Sequence, residues 1–540
     1  MRIGRVFWET VMITMKYGAC FVFAAMMSAG FAFGQPAERM PWPESVRPSA
    51  NDAFILTPRP LRTPSINCAR VFGARPEAPI RFLVAASGER PMRFEADLPD
   101  GLQINRETGL ITGILTDRGD FEATIRVSNR LGEDTATIVF KIGDTIGLTP
   151  PMGWNSWNCW GHEVSQENVL LSARAMVDSG LIDHGWTYIN IDDTWQSHRA
   201  GSRNSIQSNE KFPDMAGLAR EVHEMGLKVG IYSTPWITSY ALDIGGSSDT
   251  PDGAWDESMA SAEYYRLGEY SFEVQDAEQW AAWGFDYVKY DWFPNDVPTT
   301  PRMREALDAT GRDIILSLSN KAPMGVAASE LARLSNLART TRDIRDEWRW
   351  SEEWVHQGIA EIWDQHEAWA PHCRPGFFPD ADMLVVGRVS WTGDPKPSRL
   401  SPDEQYTHVS LWCLWASPLL IGCPLEDLDR FTLSLLTNDE VLAINQDPLG
   451  VMGVNVSGDR DLQVVAKPLS DGSIGVGLFN RTDEPAEVEA AWSDLGIDGA
   501  YMVRDLWRQR DVGVRTGSFA REVAPRGVFM VRLTPVPTSD

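Results

Sequence analysis

Eight short apolar segments separated by amphipathic stretches fill the middle of the chain, and this alternation constrains the fold more than any other feature. The segments fall at 152–157, 188–192, 228–233, 287–291, 314–319, 337–341, 378–384 and 419–422. The stretches between them carry helix punctuation. Ser165 caps a segment whose Val169, Ala173, Met176 and Val177 share a face, and Gly180 ends it. Met215, Leu218, Val222 and Met225 repeat the pattern before Gly226. Thr300-Pro301 opens a further helix that stops at Gly311, and Ser401-Pro402-Asp403-Glu404 reads as a capping box. Strands that alternate with helices are covered by them, which predicts an α/β fold with a parallel sheet. Eight such units over roughly 300 residues predict a (β/α)8 TIM barrel across 148–450. A doubly wound open sheet is the competing arrangement.

The flanks obey a different period. In 66–145, Phe121, Ala123, Ile125 and Val127 alternate, and Thr137-Ile138-Val139-Phe140 pairs back across the polar turn at 129–134, which predicts an N-terminal β-sandwich. Residues 451–540 alternate again (Leu462 and Val464; Ile474, Val476 and Leu478; Val528, Met530 and Arg532), so a C-terminal antiparallel β-sandwich is expected. Residues 35–65 are Pro-rich and polar and read as a linker. Ahead of them Arg2, Arg5 and Lys16 precede an apolar run at 17–27, and Ala32-Phe33-Gly34 offers a small-x-small cleavage site. Residues 1–34 therefore read as a signal peptide, and the protein as exported, periplasmic or secreted. The run is short for a span, so no membrane insertion is expected after cleavage. Cys68, Cys159, Cys373, Cys413 and Cys423 remain. An odd number leaves at least one thiol unpaired, and no CxxC spacing points to a metal.

Lys and Arg number 49 against 75 Asp and Glu, a net charge of −26, which argues against nucleic acid and anionic membranes and favours a neutral substrate. The 22 Trp supply flat apolar faces suited to sugar rings, besides filling cores. In a barrel the C-terminal strand ends converge on one face, where active sites form. Here that face collects Trp157, Asp192-Asp193, Tyr232, Lys289 with Asp291, Ser319, Arg339 with Asp343, and Asp382. Asp291 and Asp343 each sit close in sequence to a cation, and cleavage of a glycosidic bond needs one carboxylate ionised and another protonated. The alternative is a buried ion-pair network with Lys289 and Arg339. Two carboxylates and a water suffice for the chemistry, so the expected partner is a carbohydrate, with no metal or other cofactor.

Six motifs, in order, carry a resemblance: Thr149-Pro150-Pro151-Met152-Gly153-Trp154-Asn155-Ser156-Trp157, Tyr188-Ile189-Asn190-Ile191-Asp192-Asp193-Thr194-Trp195, Lys289-Tyr290-Asp291, Arg339-Thr340-Thr341-Arg342-Asp343-Ile344, Asp380-Ala381-Asp382-Met383-Leu384 and Asn445-Gln446-Asp447-Pro448-Leu449-Gly450. Together they resemble glycoside hydrolase family 27, the α-galactosidase and α-N-acetylgalactosaminidase family, over about 148–535. The N-terminal segment looks like the immunoglobulin-like module that precedes some bacterial members. The resemblance implies a retaining, exo-acting mechanism with Asp291 as nucleophile and Asp343 as acid/base. Retention needs the two carboxyl groups roughly 5–5.5 Å apart. Lys289 should help to hold Asp291 ionised, and repulsion from Asp291 should help to protonate Asp343, against the pull of Arg339. The family's acidic pair, which binds the axial 4-hydroxyl and the 6-hydroxyl, corresponds to Asp192 and Asp193. Trp157 is implied to stack on the sugar, Arg339 to donate to the 2-position, Asp382 with Met383 to line the pocket, and Tyr232 to form its wall.

The departures concern the pocket's edge. Phe293 and Thr194 stand where the family usually has Cys, which leaves Cys159 without its usual partner. The long loop at 236–276, rich in Gly, Ser, Asp and aromatics, reads as a lid or leaving-group subsite. At the 2-position Ser319-Asn320-Lys321-Ala322 has the Ser-x-x-Ala spacing of the N-acetylgalactosaminidases but lacks the Trp-Pro between. α-Galactosidase is the leading expectation. α-N-acetylgalactosaminidase, β-L-arabinopyranosidase and an α-glucan-cleaving enzyme are the alternatives within the family, and a non-catalytic sugar-binding protein is the alternative outside it.

Overall fold

In the computed structural model, which describes residues 38–351 and 356–537, eight parallel strands form one sheet. The expected signal peptide lies outside the described residues. The strands are β1 (Met152–Asn155), β2 (Tyr188–Asn190), β3 (Lys228–Ser233), β4 (Tyr287–Asp291), β5 (Ile315–Ser319), β6 (Leu337–Arg339), β7 (Phe378–Asp380) and β8 (Leu419–Ile421). Neighbours follow chain order from β1 to β7, β8 pairs with β1, and a parallel bridge between Leu384 and Ile421 joins the remaining edge. The sheet is therefore a (β/α)8 barrel and not an open doubly wound one. Strands buried on both faces have no solvent to satisfy a free edge, and closure removes that edge. Gly153 in β1 is fixed by sterics, because a Cβ there would lie 2.3 Å from the Tyr188 carbonyl oxygen.

Several strands stop short of the apolar segments. β1 ends at Asn155 and β2 at Asn190, so Trp157, Asp192 and Asp193 lie on the connections that follow. The covering helices include α1 (Gln166–Asp178), α2 (Met215–Glu224), α3 (Thr300–Ala309) and α4 (Pro402–Leu414). Ser165 Oγ accepts the Asn168 N–H at 3.2 Å, and Ser401 and Glu404 close a reciprocal box on α4. Val169, Ala173 and Met176 are fully buried, whereas Val177, grouped with them by pattern, is 38% exposed. It stands about 100° round the helix from Met176, enough to face outward. Burying a Val or Met side chain is worth roughly 1.5–3 kcal/mol, so this apolar stripe holds α1 on the barrel. Many of the Trp are core residues too: Trp154, Trp186, Trp195, Trp280, Trp292, Trp369, Trp412, Trp415 and Trp507 are all fully buried.

On the N-terminal side, strands Val71–Ala74, Gly132–Ile142, Gly119–Asn129 and Arg93–Asp97 form a four-stranded sheet facing a three-stranded one (Ile80–Leu83, Leu110–Gly113, Leu102–Ile104). Their core of Phe82, Phe94, Ile111, Ile125, Ile138 and Phe140 is separate from the barrel's. Arg75 ties this sandwich to the barrel, its Nε 2.6 Å from Asp313 Oδ1. On the C-terminal side a six-stranded antiparallel sheet packs with the pair Ala486–Ala491 and Ser518–Val523, and its Val464, Val476 and Met530 belong to the same apolar cluster as the barrel. Residues 38–65 run along the barrel as a strap. The Arg47 N–H donates to the Leu428 carbonyl at 3.2 Å, and the Leu56 N–H to the Tyr406 hydroxyl at 2.9 Å.

Candidate active site

The C-terminal strand ends open into one cavity lined by Trp157, Asn158, Asp192, Asp193, Tyr232, Tyr240, Lys289, Asp291, Asn320, Arg339, Asp343, Ile344, Arg345, Asp382, Met383 and Trp391. Of the residues expected there, only Ser319 is missing from the lining. Strand alternation builds the floor: Lys289 and Asp291, two apart on β4, both line the cavity, while Tyr290 between them is fully buried against Trp292. Lys289 Nζ lies 2.8 Å from Asp192 Oδ2 and 4.0 Å from Asp291 Oδ2. The same ammonium sits 5.3 Å from the centre of the Tyr232 ring. Asp192 Oδ2 also accepts from Asn155 Nδ2 at 2.8 Å. Asp193 faces the loops: its Oδ1 accepts from the Thr194 N–H (2.9 Å) and Gln196 Nε2 (2.7 Å), and its Oδ2 from the Ala241 N–H (2.9 Å).

Across the cavity Arg339 is buried and bridges two carboxylates, with Nη2 3.0 Å from Asp343 Oδ1 and 2.8 Å from Asp382 Oδ2. Asp382 is fixed further by the N–H groups of Ile344 and Met383, each at 2.8 Å, and adopts a left-handed φ of 79° that Asp tolerates. Asp343 is not on the barrel sheet. It opens a short strand, Asp343–Ile344, paired with His356–Gln357, and its side chain is 50% exposed where that of Asp291 is 9% exposed.

These contacts share out the two cations differently from the pairing that sequence proximity suggests. Burial pushes the Asp291 carboxyl up to about 7, Asp343 and Asp192 add to the shift, and Lys289 and Arg339 oppose it. Burial also works against the charge on Asp343, yet Arg339 and then Lys289 hold it below the ordinary carboxylate range. The reason is geometric: Lys289 gives its shorter contact to Asp192, and Arg339 gives one of its own to Asp343. Lys289 stays protonated despite burial, chiefly through Asp192 and then Asp291.

Ser319 ends β5, in register with Asp291, but its side chain stops short of the cavity and its carbonyl accepts from Asn295 Nδ2 at 2.9 Å. Ala322 is likewise buried outside the lining. Asn320 takes the place, turning in at φ 64°. Tyr240 comes from the 236–276 loop, which is ordered by the pair Ser247–Ser248 and Tyr270–Ser271 and by Trp236 stacked on Tyr265 at 5.3 Å. Sequence marked the loop but not the residue. Asn320 was adjacent to the residue singled out, and Arg345, lying two residues after Asp343, could have been noticed. Trp391 carried no signal, one Trp among many in an irregular segment. Its ring lies under the Arg345 guanidinium at 4.2 Å. Cys68, Cys159, Cys373, Cys413 and Cys423 are all free, buried thiols.

A second cavity lies between the N-terminal sandwich and the opposite end of the barrel, among Phe72, Arg81, Tyr188, Lys228 and Asp286. Asp286 there is engaged by His223 at 2.8 Å and Arg312 at 2.5 Å, so we read it as part of a packing seam. Among the described residues no helix is long and apolar enough to cross a membrane.

Comparison with known proteins agrees with the geometry. The family model described as Alpha galactosidase A matches residues 149–247 and 256–447, and that of the Alpha galactosidase C-terminal beta sandwich domain matches 459–533. Alpha-galactosidase 2 of Arabidopsis thaliana is 35% identical over 72% of this chain and 90% of its own length. The crystal structure of a candidate alpha-galactosidase from Bacteroides fragilis superposes with a TM-score of 0.76 at 31% identity, covering 88% of this chain and 98% of that one. A β-L-arabinopyranosidase from Geobacillus stearothermophilus superposes with a TM-score of 0.62 at 28% identity, over 73% of this chain and 98% of that one. With both family models matched in order over the barrel and the sandwich behind it, the chain belongs to the α-galactosidase family of glycoside hydrolases, family 27.

Proposed function

We propose that the protein is an exported, retaining, exo-acting α-galactosidase that removes terminal α-linked galactose from oligosaccharides or glycoconjugates. The observation that carries this reading is the convergence of Asp291 and Asp343 on a cavity that also holds Asp192, Asp193 and Trp157. In the first step Asp291 attacks the anomeric carbon, the glycosidic C–O bond breaks, and Asp343 gives its proton to the leaving oxygen. In the second a water attacks the same carbon, Asp343 takes the water's proton, and the bond to Asp291 breaks, which releases galactose with its configuration retained. Asp192 and Asp193 accept hydrogen bonds from the axial 4-hydroxyl and the 6-hydroxyl, and Arg339 donates to the 2-hydroxyl. The reactive state needs one proton on the pair, located on Asp343. It differs from the arrangement favoured by the contacts above only in which carboxyl carries that proton.

Ser319 and Ala322, whose spacing carries the N-acetylgalactosaminidase reading, lie outside the lining, which supports galactose. One observation favours a second reading. Asp193 Oδ2 already accepts the Ala241 N–H at 2.9 Å, which suits a sugar without a 6-hydroxyl, a β-L-arabinopyranoside. Side-by-side turnover of aryl α-galactoside, aryl α-N-acetylgalactosaminide and aryl β-L-arabinopyranoside decides among the three, with NMR following the anomer first released. An inverted product, or full turnover by Asp291→Ala, defeats the mechanism.

A further inference from the structure

Asp291 is buried, yet the cation beside it is committed elsewhere: Lys289 Nζ is 2.8 Å from Asp192 and 4.0 Å from Asp291 Oδ2. Among the described residues, the direct hydrogen bond on its carboxylate comes from Asn320, whose Nδ2 lies 3.3 Å from Oδ1. Asn320 follows β5 with φ at 64°, a left-handed conformation that Asn accepts more readily than most side chains, and the turn brings its amide into the cavity. Its side chain and the Tyr240 phenol line the same cavity. The Tyr240 ring is braced by Trp236 at 5.1 Å and Tyr265 at 5.3 Å, and its carbonyl accepts the Tyr265 hydroxyl at 2.9 Å. The next residue, Ala241, donates its N–H to Asp193.

We propose that Asn320, which shares the cavity wall with Tyr240, is a positioning residue that grips Oδ1 of Asp291, leaves Oδ2 free to attack, and so couples the nucleophile to the 236–276 loop. The proposal rests on the reading of Asp291 as nucleophile. An amide N–H donates to a carboxylate, so the contact favours the ionised form of Asp291. The other titratable groups facing Asp291 are Lys289 on its own strand, Asp192 after β2, Tyr232 on β3, Arg339 on β6, Asp343 beyond it, and Tyr240 on the loop. None of them changes in a substitution at Asn320.

The test measures kcat/KM against pH on the aryl glycoside turned over fastest, with thermal unfolding as a check on folding. Asn320→Gly keeps the left-handed backbone and removes the amide. It should lower kcat/KM by roughly 10- to 100-fold, the range expected for a hydrogen bond to a charged group, and move the alkaline limb to higher pH. Asn320→Asp replaces the donor with a repelling carboxylate and should move the limb further in the same direction. Tyr240→Phe, which removes one hydroxyl and keeps the ring, should give a smaller shift of the same sign, and it provides the readout even if both Asn320 variants fail to fold. A folded Asn320→Gly whose alkaline limb stays in place overturns the proposal, whatever its activity. So does an unmoved limb in Tyr240→Phe when the Asn320 variants are unfolded. Asp291→Ala separates the two readings. If it is inactive while the limbs stay put, only the positioning role fails; if it turns over normally, the nucleophile itself is wrong.

Discussion

The floor of the cavity and its rim are built by different means. Asp192, Lys289 and Asp291 lie on barrel strands or just beyond them, so the sheet register and the period-two alternation of β-structure place them. Tyr240, Asn320, Arg345 and Trp391 come from connections, and their places depend on stacking between distant residues: Trp236 on Tyr265, Arg345 on Trp391. The floor is therefore fixed by the barrel's register, whereas the rim is fixed by packing between loops. Asp343 belongs to both, tethered to the floor through Arg339 yet half exposed on its short strand. On the proposed function, the difference teaches that the barrel sets the reaction and the loops set the choice of leaving group.

Substitutions should divide along the same line. The largest effect is expected at the floor: Asp291→Ala should lower kcat by on the order of 10⁴-fold or more while substrate binding persists, as steady-state kinetics and calorimetric titration will show. Asp343→Ala comes next and should depend on the substrate. Loss of a general acid costs roughly 10²- to 10⁴-fold with sugar leaving groups, and far less with an activated aryl group whose oxygen needs no proton. Equal losses on both would place Asp343 outside proton transfer. The pH profile should follow the pair. Above about 7, where the raised Asp291 step removes the last shared proton, kcat/KM should fall about tenfold per pH unit. On the acid side activity should persist below the ordinary carboxylate range, because Arg339 depresses the Asp343 step. An alkaline limb absent up to about pH 9 contradicts the assignment. The smallest effects belong to the rim. Arg345→Gln and Trp391→Ala should raise KM for oligosaccharides by less than about tenfold and leave turnover of the aryl glycoside unchanged. A rim variant that cuts aryl turnover as deeply as a floor variant erases the distinction.

Much of this was legible in the sequence, but unevenly. The eight apolar segments and the helix caps announced the barrel because each reports a local, periodic preference. Val177 was misassigned because a pattern of apolar residues does not reveal how wide the buried face is. Ser319 was placed in the pocket by its spacing to Ala322, but a small side chain at a strand end does not reach the cavity when the next residue turns inward. The nearer partner of Lys289 was not legible either. Sequence proximity pairs Lys289 with Asp291, whereas the fold brings Asp192, 97 positions away, closer to the ammonium.

By itself, the sequence determined the barrel, the sandwiches flanking it, and the carboxylates, cations and Trp157 that gather at the strand ends. These follow from periodicity, from punctuation by Gly, Pro and capping residues, and from motifs tied to individual strands. Only the tertiary structure decided which cation lies nearest which carboxylate, that Asn320 and not Ser319 lines the cavity, and that Tyr240 joins it from a distant loop. Those outcomes are competitions between partners far apart in the chain, settled by distances of an ångström or so, and such distances exist only once the strands have closed and the loops have packed across them.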